Sequence, residues 1–154
     1  MGIGDWGLGI VPVDADEMWS GTSGRTLVEV MTQSSADILT AANYRIWPGS
    51  LREPQPQPHP SVAFRPMTGA RLTKGNHAVS RPGSVVHGDL VIHEYQYRSF
   101  EQMRMKVRHG RDAVVAAGWP ASEGSHWQQL GAMNDDDLMA EWLRMSTDPA
   151  LVPC

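Results

Sequence analysis

Apolar and polar positions follow two rhythms along the chain, one typical of strands and the other of helices. Runs of aliphatic, β-branched and aromatic residues predict strands at 8–13, Ile38–Trp47, Ser61–Phe64, 69–73 and 89–97. Apolar residues three and four apart predict helices at 25–33, at 100–117 and from 135 onward. Strands interleaved with helices in this way indicate an α/β fold.

Capping residues stand before each predicted helix. Thr22 or Ser23 is expected to cap the first helix, and Ser99 with Gln102 has the spacing of a capping box for the second. Asn134 precedes three acids, which the helix dipole favours in a first turn, so it is expected to cap the third.

Proline and glycine mark the connecting segments. Residues 52–60, REPQPQPHP, alternate proline with other residues and predict an extended, polyproline-like loop. We interpret this loop as a surface spacer, with a ligand for a proline-binding domain as the alternative. Residues 74–84 predict a structured loop, and 148–154 a flexible tail. The remainder, 1–147, is expected to form a single domain.

Composition places the chain among globular proteins. Its 154 residues, 41% apolar and 19% charged, are enough to bury a core. No apolar stretch approaches the roughly 18 residues that a membrane helix needs, and the first residues lack the basic region of a signal peptide. We therefore expect no transmembrane segment and a cytoplasmic location. A single cysteine, Cys154, excludes an internal disulfide.

Charge argues against a nucleic-acid partner, because the net charge is −4 and phosphate-binding surfaces usually carry a basic excess. The charge is nevertheless uneven. Between positions 98 and 111 the only acid, Glu101, stands among five basic residues: Arg98, Arg104, Lys106, Arg108 and Arg111. This excess makes the second helix a candidate site for an anionic ligand, although a charged run on a helix is more often simply solvated. A nucleic-acid-associated protein that uses this helix is the least supported function class.

Acids and histidines supply the candidate chemistry. Asp14, Asp16 and Glu17 follow the first apolar run, and carboxylate oxygens are ligands that Mg²⁺ and Mn²⁺ prefer. Taken alone, an Asp-X-Asp triplet is more often a solvated turn. His77 and His93 lie outside any zinc-binding spacing. The chain has no Gly-rich phosphate loop and no nucleophile elbow, so nucleotide kinases and serine hydrolases have little support.

Four motifs, in this order, point to a family. VDADEMW, KGNHAVS, YRSFEQMRMKVRHG and GSHW resemble a bacterial group of family 2-like glycosyltransferases with the GT-A fold, over a span from about Trp6 to Trp142. The resemblance implies a partial GT-A-like mixed sheet flanked by helices. It also implies transfer of a sugar from a nucleotide-sugar donor to the hydroxyl group of a carbohydrate or another acceptor.

The resemblance assigns metal and donor ligands. It implies a divalent ion, Mn²⁺ or Mg²⁺, held by Asp14 and Asp16, with His93 as a third ligand. Asp14 would also lie near the donor, and Arg98 and Lys106 would bind its diphosphate.

The same resemblance leaves the catalytic base open among Glu17, Asp89 and Glu94. Any of these carboxylates could accept the proton of the acceptor hydroxyl. Asn76 and His77, from the GNH motif, are expected to form an acceptor-binding or structural loop.

Two departures from the family pattern bear on these expectations. Relatives often carry histidine four residues before the arginine of YRS, where this chain has Glu94, with His93 one position earlier. Relatives also place a nucleotide-binding βαβ half before the Asp-X-Asp, and most of it is lacking here. The chain therefore resembles a carboxyl-terminal half, and a separately encoded amino-terminal half or a second copy is an expected partner. The alternative function is a non-catalytic GT-A-like remnant that acts as an interaction module.

Overall fold

The structure is a computed structural model that describes residues 9–73, 75–120, 122 and 124–154. The chain forms two units, the first extending to Arg45 and including Glu53–Tyr95, the second comprising Ile46–Arg52 and Gln96–Cys154. Both contain strands, and the fold is mixed α and β. The predicted single domain over 1–147 stays a prediction.

Eight strands and four α-helices are present in the described part of the chain. The strands are β1 (Glu17–Gly21), β2 (Ile38–Trp47), β3 (Leu51–Arg52), β4 (Ser61–Phe64), β5 (Arg71–Thr73), β6 (Ala78–Ser80), β7 (Val85–Glu94) and β8 (Val152–Pro153). The helices are α1 (Leu27–Gln33), α2 (Phe100–Ala116), α3 (Ser125–Ala132) and α4 (Asp135–Ser146), and Thr22–Gly24 forms a 3₁₀ turn.

A mixed sheet forms the centre of the first unit. Strand β2 pairs in parallel with β7, which brings Asn43 opposite Ile92. On its other edge β2 pairs antiparallel with β4. Strand β1 pairs antiparallel with β7, and β5 and β6 form a separate hairpin. The sheet order in this unit is therefore β1, β7, β2, β4.

Helix α1 covers one face of this sheet. Its buried residues Val30 and Met31 pack with Leu39, Leu90 and other buried apolar residues of the sheet. Each fully buried aliphatic side chain of this kind contributes about 1.5–3 kcal/mol. The helix is held at its start by a capping box, in which the Thr26 side chain accepts from the backbone of Glu29.

The second unit has its own core. Trp47, Tyr97, Met103, Leu138 and Trp142 pack together in it, with Val107 also buried in the cluster. The last residues of β2 pair with β3, and β3 pairs with β8. Helices α2 and α4 supply the apolar faces that close this core.

Several sequence predictions are confirmed. Strands β2 and β4 occupy the predicted residues, and α2 and α4 begin after Ser99 and Asn134, whose side chains accept the expected capping hydrogen bonds. Other boundaries differ. The cap of α1 is Thr26, because Thr22 and Ser23 belong to the preceding 3₁₀ turn. Strand β7 starts and ends earlier than predicted.

The prediction that the acids follow a strand is wrong for the described residues. Residues 1–8 lie outside the described part, and from residue 9 onward the predicted strand contributes only a bridge between Ile10 and Phe64. Asp14 and Asp16 precede a strand, β1, whose first residue is Glu17. Strand β1 was not predicted from the sequence, because its residues, EMWSG, do not form an extended apolar run.

Two further segments have more structure than the sequence predicted. Residues 125–132, for which the sequence predicted no helix, form α3 after Gly124, which has a left-handed conformation and no capping side chain. Within 148–154, the expected tail, Val152–Pro153 form β8. Among the described residues, no helix has the length and apolar character needed to cross a membrane.

Candidate functional site

Three charged side chains lie in a row across the sheet of the first unit. The register places Glu17 of β1 opposite Glu94 of β7, and Glu94 beside Arg45 of β2. Directly paired residues present their side chains on the same face, so the two carboxylates are neighbours. The row lies at the carboxyl ends of the parallel strands β2 and β7, where ligands of open α/β sheets commonly bind.

Hydrogen bonds fix the carboxylate of Glu17. The indole Nε1 of Trp19 donates to its Oε2 over 2.9 Å, and Nδ2 of Asn76 contacts Oε1 and Oε2 at 3.0 and 3.2 Å. Asn76 is buried, and its carbonyl accepts from the backbone N–H of Val62 at the start of β4. The GNH loop therefore holds Glu17 in place.

The Asp14–Asp16 turn is attached to the same row. The backbone N–H of Glu17 donates to the carbonyl of Asp14 over 3.0 Å, and the N–H of Asp14 approaches the Glu17 carboxylate at 3.4 Å. On the other side, the N–H of Tyr95 donates to the carbonyl of Asp16 over 2.8 Å. The turn is thereby tied both to Glu17 and to the end of β7.

His93 lies on the other face of the sheet. It pairs with Met18 and Tyr44, and strand alternation turns these residues away from the face that carries Glu17 and Glu94. In residues 9–73, 75–120, 122 and 124–154, no three His, Cys, Asp or Glu side chains are grouped closely enough to hold a metal ion. Asp14 and Asp16 supply the hard oxygen donors that Mg²⁺ and Mn²⁺ prefer, so these two fit such an ion chemically.

Asp89 lies away from the row. Its carboxylate accepts from the guanidinium of Arg25 over 3.0 Å. It stands five residues before Glu94 on β7, a separation of roughly 16 Å along an extended strand. The structure therefore separates Asp89 from the other two candidate bases.

Arg45 ties the proline-rich segment to the sheet. Its guanidinium donates to Glu53 over 3.3 Å and to Gln57 over 3.4 Å, and the side chains of Glu53 and Gln57 also contact each other. The backbone N–H of Gln57 donates to the carbonyl of Asn43 over 2.7 Å. The segment thus continues along the edge of β2 beyond β4, in a more defined position than a surface spacer requires.

Two buried side chains on β2 and β4 have polar atoms with no hydrogen-bond partner among the described residues. They are Asn43, through Oδ1, and Ser61, through Oγ. An unsatisfied buried polar atom costs about 1–3 kcal/mol and is unusual enough to need an explanation. Asn43, Arg45 and Trp19 were not predicted as site residues. The available signal was the placing of Asn43 and Arg45 at alternating positions inside an otherwise apolar strand.

His77, the last residue of the GNH motif, lies beside the proline-rich segment. Its Nδ1 is 3.3 Å from the carbonyl oxygen of Pro60. Its ring also packs near His59. The loop therefore connects Glu17, through Asn76, with the end of the proline-rich segment, through His77.

Arg98 and Lys106 belong to the second unit. The backbone N–H of Arg98 donates to the Gln102 side chain over 2.6 Å, just before α2. The ammonium of Lys106 lies 5.9 Å from the centre of the Tyr97 ring and 6.0 Å from that of Trp127, distances that allow cation–π attraction. Lys106 also borders a surface depression of about 480 Å³.

No protein-family model, curated protein or solved structure matches the chain.

Proposed function

We propose that the chain is a nucleotide-sugar-dependent glycosyltransferase of the GT-A type, or a carboxyl-terminal half of one. It would transfer a sugar to an acceptor hydroxyl with the help of Mn²⁺ or Mg²⁺. The resemblance in the four motifs suggests this activity, and the arrangement of the first unit supports it.

The supporting observation is the meeting of two motifs and the end of β7, which are far apart in sequence. Asn76 of KGNHAVS bonds the carboxylate of Glu17 from VDADEMW, and Glu17 pairs with Glu94, which precedes YRSFEQ. A solvated polar turn would not need partners nearly 60 and 80 residues away. The convergence is what a binding site built from these motifs requires.

We assign the metal to Asp14 and Asp16, with donor oxygens and water as its other ligands. A bound divalent ion supplies positive charge to the departing diphosphate. For the base we favour Glu94, because it lies at the carboxyl end of β7 directly opposite Glu17, whereas Glu17 holds the Asp14–Asp16 turn and Asp89 lies five residues away along β7. Glu94 would take the proton of the acceptor hydroxyl while the hydroxyl oxygen forms the new bond to the sugar carbon and the diphosphate departs. Glu17 would position the Asp14–Asp16 turn.

The decisive experiment is titration calorimetry with Mn²⁺ and a panel of nucleotide sugars, followed by a product assay with hydroxyl acceptors. We expect binding of at least one donor, dependent on Mn²⁺. Asp16→Asn should weaken binding of the metal and donor, whereas Glu94→Gln should retain binding and lose turnover. Asp112→Asn, an exposed carboxylate of α2, is the matched control.

The proposal fails if no donor binds with Mn²⁺, either to the chain alone or after addition of an amino-terminal half. It also fails if Asp16→Asn and Asp112→Asn bind donor equally well. Equal turnover in Glu94→Gln and the unaltered chain would reject only the assignment of the base.

A non-catalytic interaction module is the second candidate. It is favoured by exposed apolar side chains around a depression of about 490 Å³ near Ile10, which include Met67 and Leu72. No described residue pairs with Ile10 on the side opposite Phe64. If this candidate is correct, a host that depends on the gene should tolerate Asp16→Ala and fail with Leu72→Lys. The enzyme proposal predicts failure with Asp16→Ala.

A further inference from the structure

Two histidines from different segments lie close together in the first unit. His59 comes from the proline-rich segment and His77 from the GNH loop, and their ring centres are 6.1 Å apart with the planes tilted by 49°. His59 is exposed and His77 is half-buried, so solvent reaches both. The proposed glycosyltransferase mechanism uses neither ring as a metal ligand.

The contact to Pro60 defines the tautomer of His77. A carbonyl oxygen only accepts hydrogen bonds, so the 3.3 Å contact requires the proton on Nδ1 of His77. The lone pair is then on Nε2. Metal-binding histidines commonly show this arrangement, with one nitrogen donating to a backbone carbonyl and the other bound to the ion.

The backbone around His59 is restricted before any ligand binds. His59 stands between Pro58 and Pro60, whose rings fix their own φ angles and confine the residue before each proline to extended conformations. The segment is also fastened to β2 by the hydrogen bond from Gln57 to Asn43. Little ordering entropy therefore opposes the joining of the two rings.

We propose that His59 and His77 form a binding site for a first-row transition-metal ion of the Zn²⁺ or Ni²⁺ type, completed by water. With bonds of about 2.1 Å, two imidazoles on one tetrahedral or more open ion place their ring centres roughly 5–6 Å apart. The observed 6.1 Å separation of the ring centres lies close to this range. Imidazole nitrogen selects such ions over Mg²⁺, which distinguishes this site from the carboxylates of Asp14 and Asp16.

An ion at this site would join the proline-rich segment to the loop that holds Glu17. His77 follows Asn76, the residue that donates to the Glu17 carboxylate. Metal binding would thus brace the GNH loop through His77, next to the residue that holds Glu17. The site does not depend on the glycosyltransferase proposal, because neither its ligands nor its ion are those assigned to the donor.

The test is Zn²⁺ titration calorimetry on the full chain in the presence of millimolar Mg²⁺. We expect one Zn²⁺ per chain, with His59→Gln and His77→Gln each lowering the affinity at least tenfold. His109→Gln removes an exposed histidine of α2 and should leave the affinity unchanged. With Cu²⁺ as a probe, electron paramagnetic resonance should show two nitrogen ligands in the unaltered chain and one in His59→Gln.

Absence of stoichiometric Zn²⁺ binding would overturn the proposal. So would an equal loss in the His109→Gln control, which would indicate adventitious binding to surface histidines. Both His59 and His77 reach solvent, and circular dichroism of each variant shows whether a loss of binding comes from unfolding. Asp16→Asn should bind Zn²⁺ as the unaltered chain does. The Zn²⁺ titration can therefore be interpreted even if no nucleotide sugar binds.

Discussion

At the residue scale, the most informative contact joins Asn76 to Glu17. The Asn76 side chain is buried and donates to a carboxylate that lies directly opposite a second carboxylate, Glu94. Two acids paired across strands repel each other unless nearby donors compensate. Asn76 and Trp19 supply this compensation at Glu17, and Arg45 stands beside Glu94 on β2.

Asn76→Ala should therefore destabilise the chain and disturb the Asp14–Asp16 turn. We expect the free energy of unfolding to fall by about 1–3 kcal/mol, because the substitution removes a donor from a partly buried carboxylate. Urea unfolding measures this cost. Under the proposed function, the same variant should also weaken binding of Mn²⁺ and donor.

The matched control is Asn134→Ala, which removes the cap of α4 in the second unit. Loss of a cap costs about 1 kcal/mol, so the stability change is similar. Donor binding should survive in this control. If Asn76→Ala leaves the free energy of unfolding unchanged, the contact between Asn76 and Glu17 does not stabilise the fold.

Asp37 gives a prediction about pH. Hydrogen bonds from the backbone N–H and the hydroxyl of Ser84, over 2.8 and 3.0 Å, hold the pKa of Asp37 below its ordinary value of 3.8, and the Arg81 guanidinium adds to this effect. A lowered folded-state pKa means that the unfolded chain binds more protons in acid. The contribution of Asp37 to stability is thus complete above the ordinary pKa and is lost as the pH falls through the lowered one.

Asp37→Asn should therefore lower stability at neutral pH and reduce the further loss on acidification below pH 3.8. Urea unfolding across that range measures both effects. Glu29 and Asp135, whose pKa values are also lowered by hydrogen bonds, keep their own acid dependence in the variant. A variant whose acid sensitivity equals that of the unaltered chain would contradict the assignment.

The acids of the candidate site were named from the sequence, and most of their contacts were not predicted. Asp14, Asp16, Glu17 and Glu94 were named from type and motif, since carboxylates in a short pattern are visible in one dimension. The choice of a catalytic base among Glu17, Asp89 and Glu94 depended on contacts between residues distant in sequence, such as that of Asp89 with Arg25. Those contacts follow from strand register, which local sequence does not determine.

At the element scale, local signals predicted β2, β4, α2 and α4 because each contains a strand-forming run or a helical apolar stripe with a clear end. Pro48 follows β2, and Ser99 and Asn134 cap their helices. Helix α3 was missed because it begins at Gly124 without a capping side chain. Its position depends on packing against α2, a tertiary contact that overrides weak propensity.

That packing predicts the effect of Gly131→Ala. Helix propensity alone favours alanine by about 1 kcal/mol. A Cβ atom at this position would, however, lie 2.7 Å from the carbonyl oxygen of Val107 and 2.6 Å from Cβ of Arg111 on α2. Such overpacking costs about 1–3 kcal/mol, so we expect net destabilisation, measured by urea unfolding.

Gln129→Ala, at an exposed position of the same helix, is the control and should change stability by less than about 0.5 kcal/mol. If Gly131→Ala is stabilising instead, propensity dominates and the α2–α3 contact is looser than described. The two variants together separate packing from propensity within one helix.

At the scale of the whole chain, charge counting overstated the basic character of α2. Asp135 accepts from both Arg104 and Arg108, over 2.9 and 3.0 Å, and Glu101 accepts from Arg104. Arg111 donates to the carbonyl of Gly131. Much of the positive charge counted on α2 is thus paired within the second unit. A count limited to 98–111 could not include Asp135.

The carboxyl-terminal segment provides the last prediction, because the sequence indicated a flexible tail and the structure shows a strand. Removal of residues 151–154 would delete β8, its pairing with Leu51–Arg52 and the hydrogen bond from Cys154 to the carbonyl of Ser50. It would also expose the cluster around Trp47 and Trp142, against which Leu151 packs. We expect the free energy of unfolding to fall by roughly 2–4 kcal/mol. Urea unfolding monitored by tryptophan fluorescence measures this loss. Cys154→Ser keeps the backbone and should match the unaltered chain, whereas equal stability of the truncated chain would support the flexible tail.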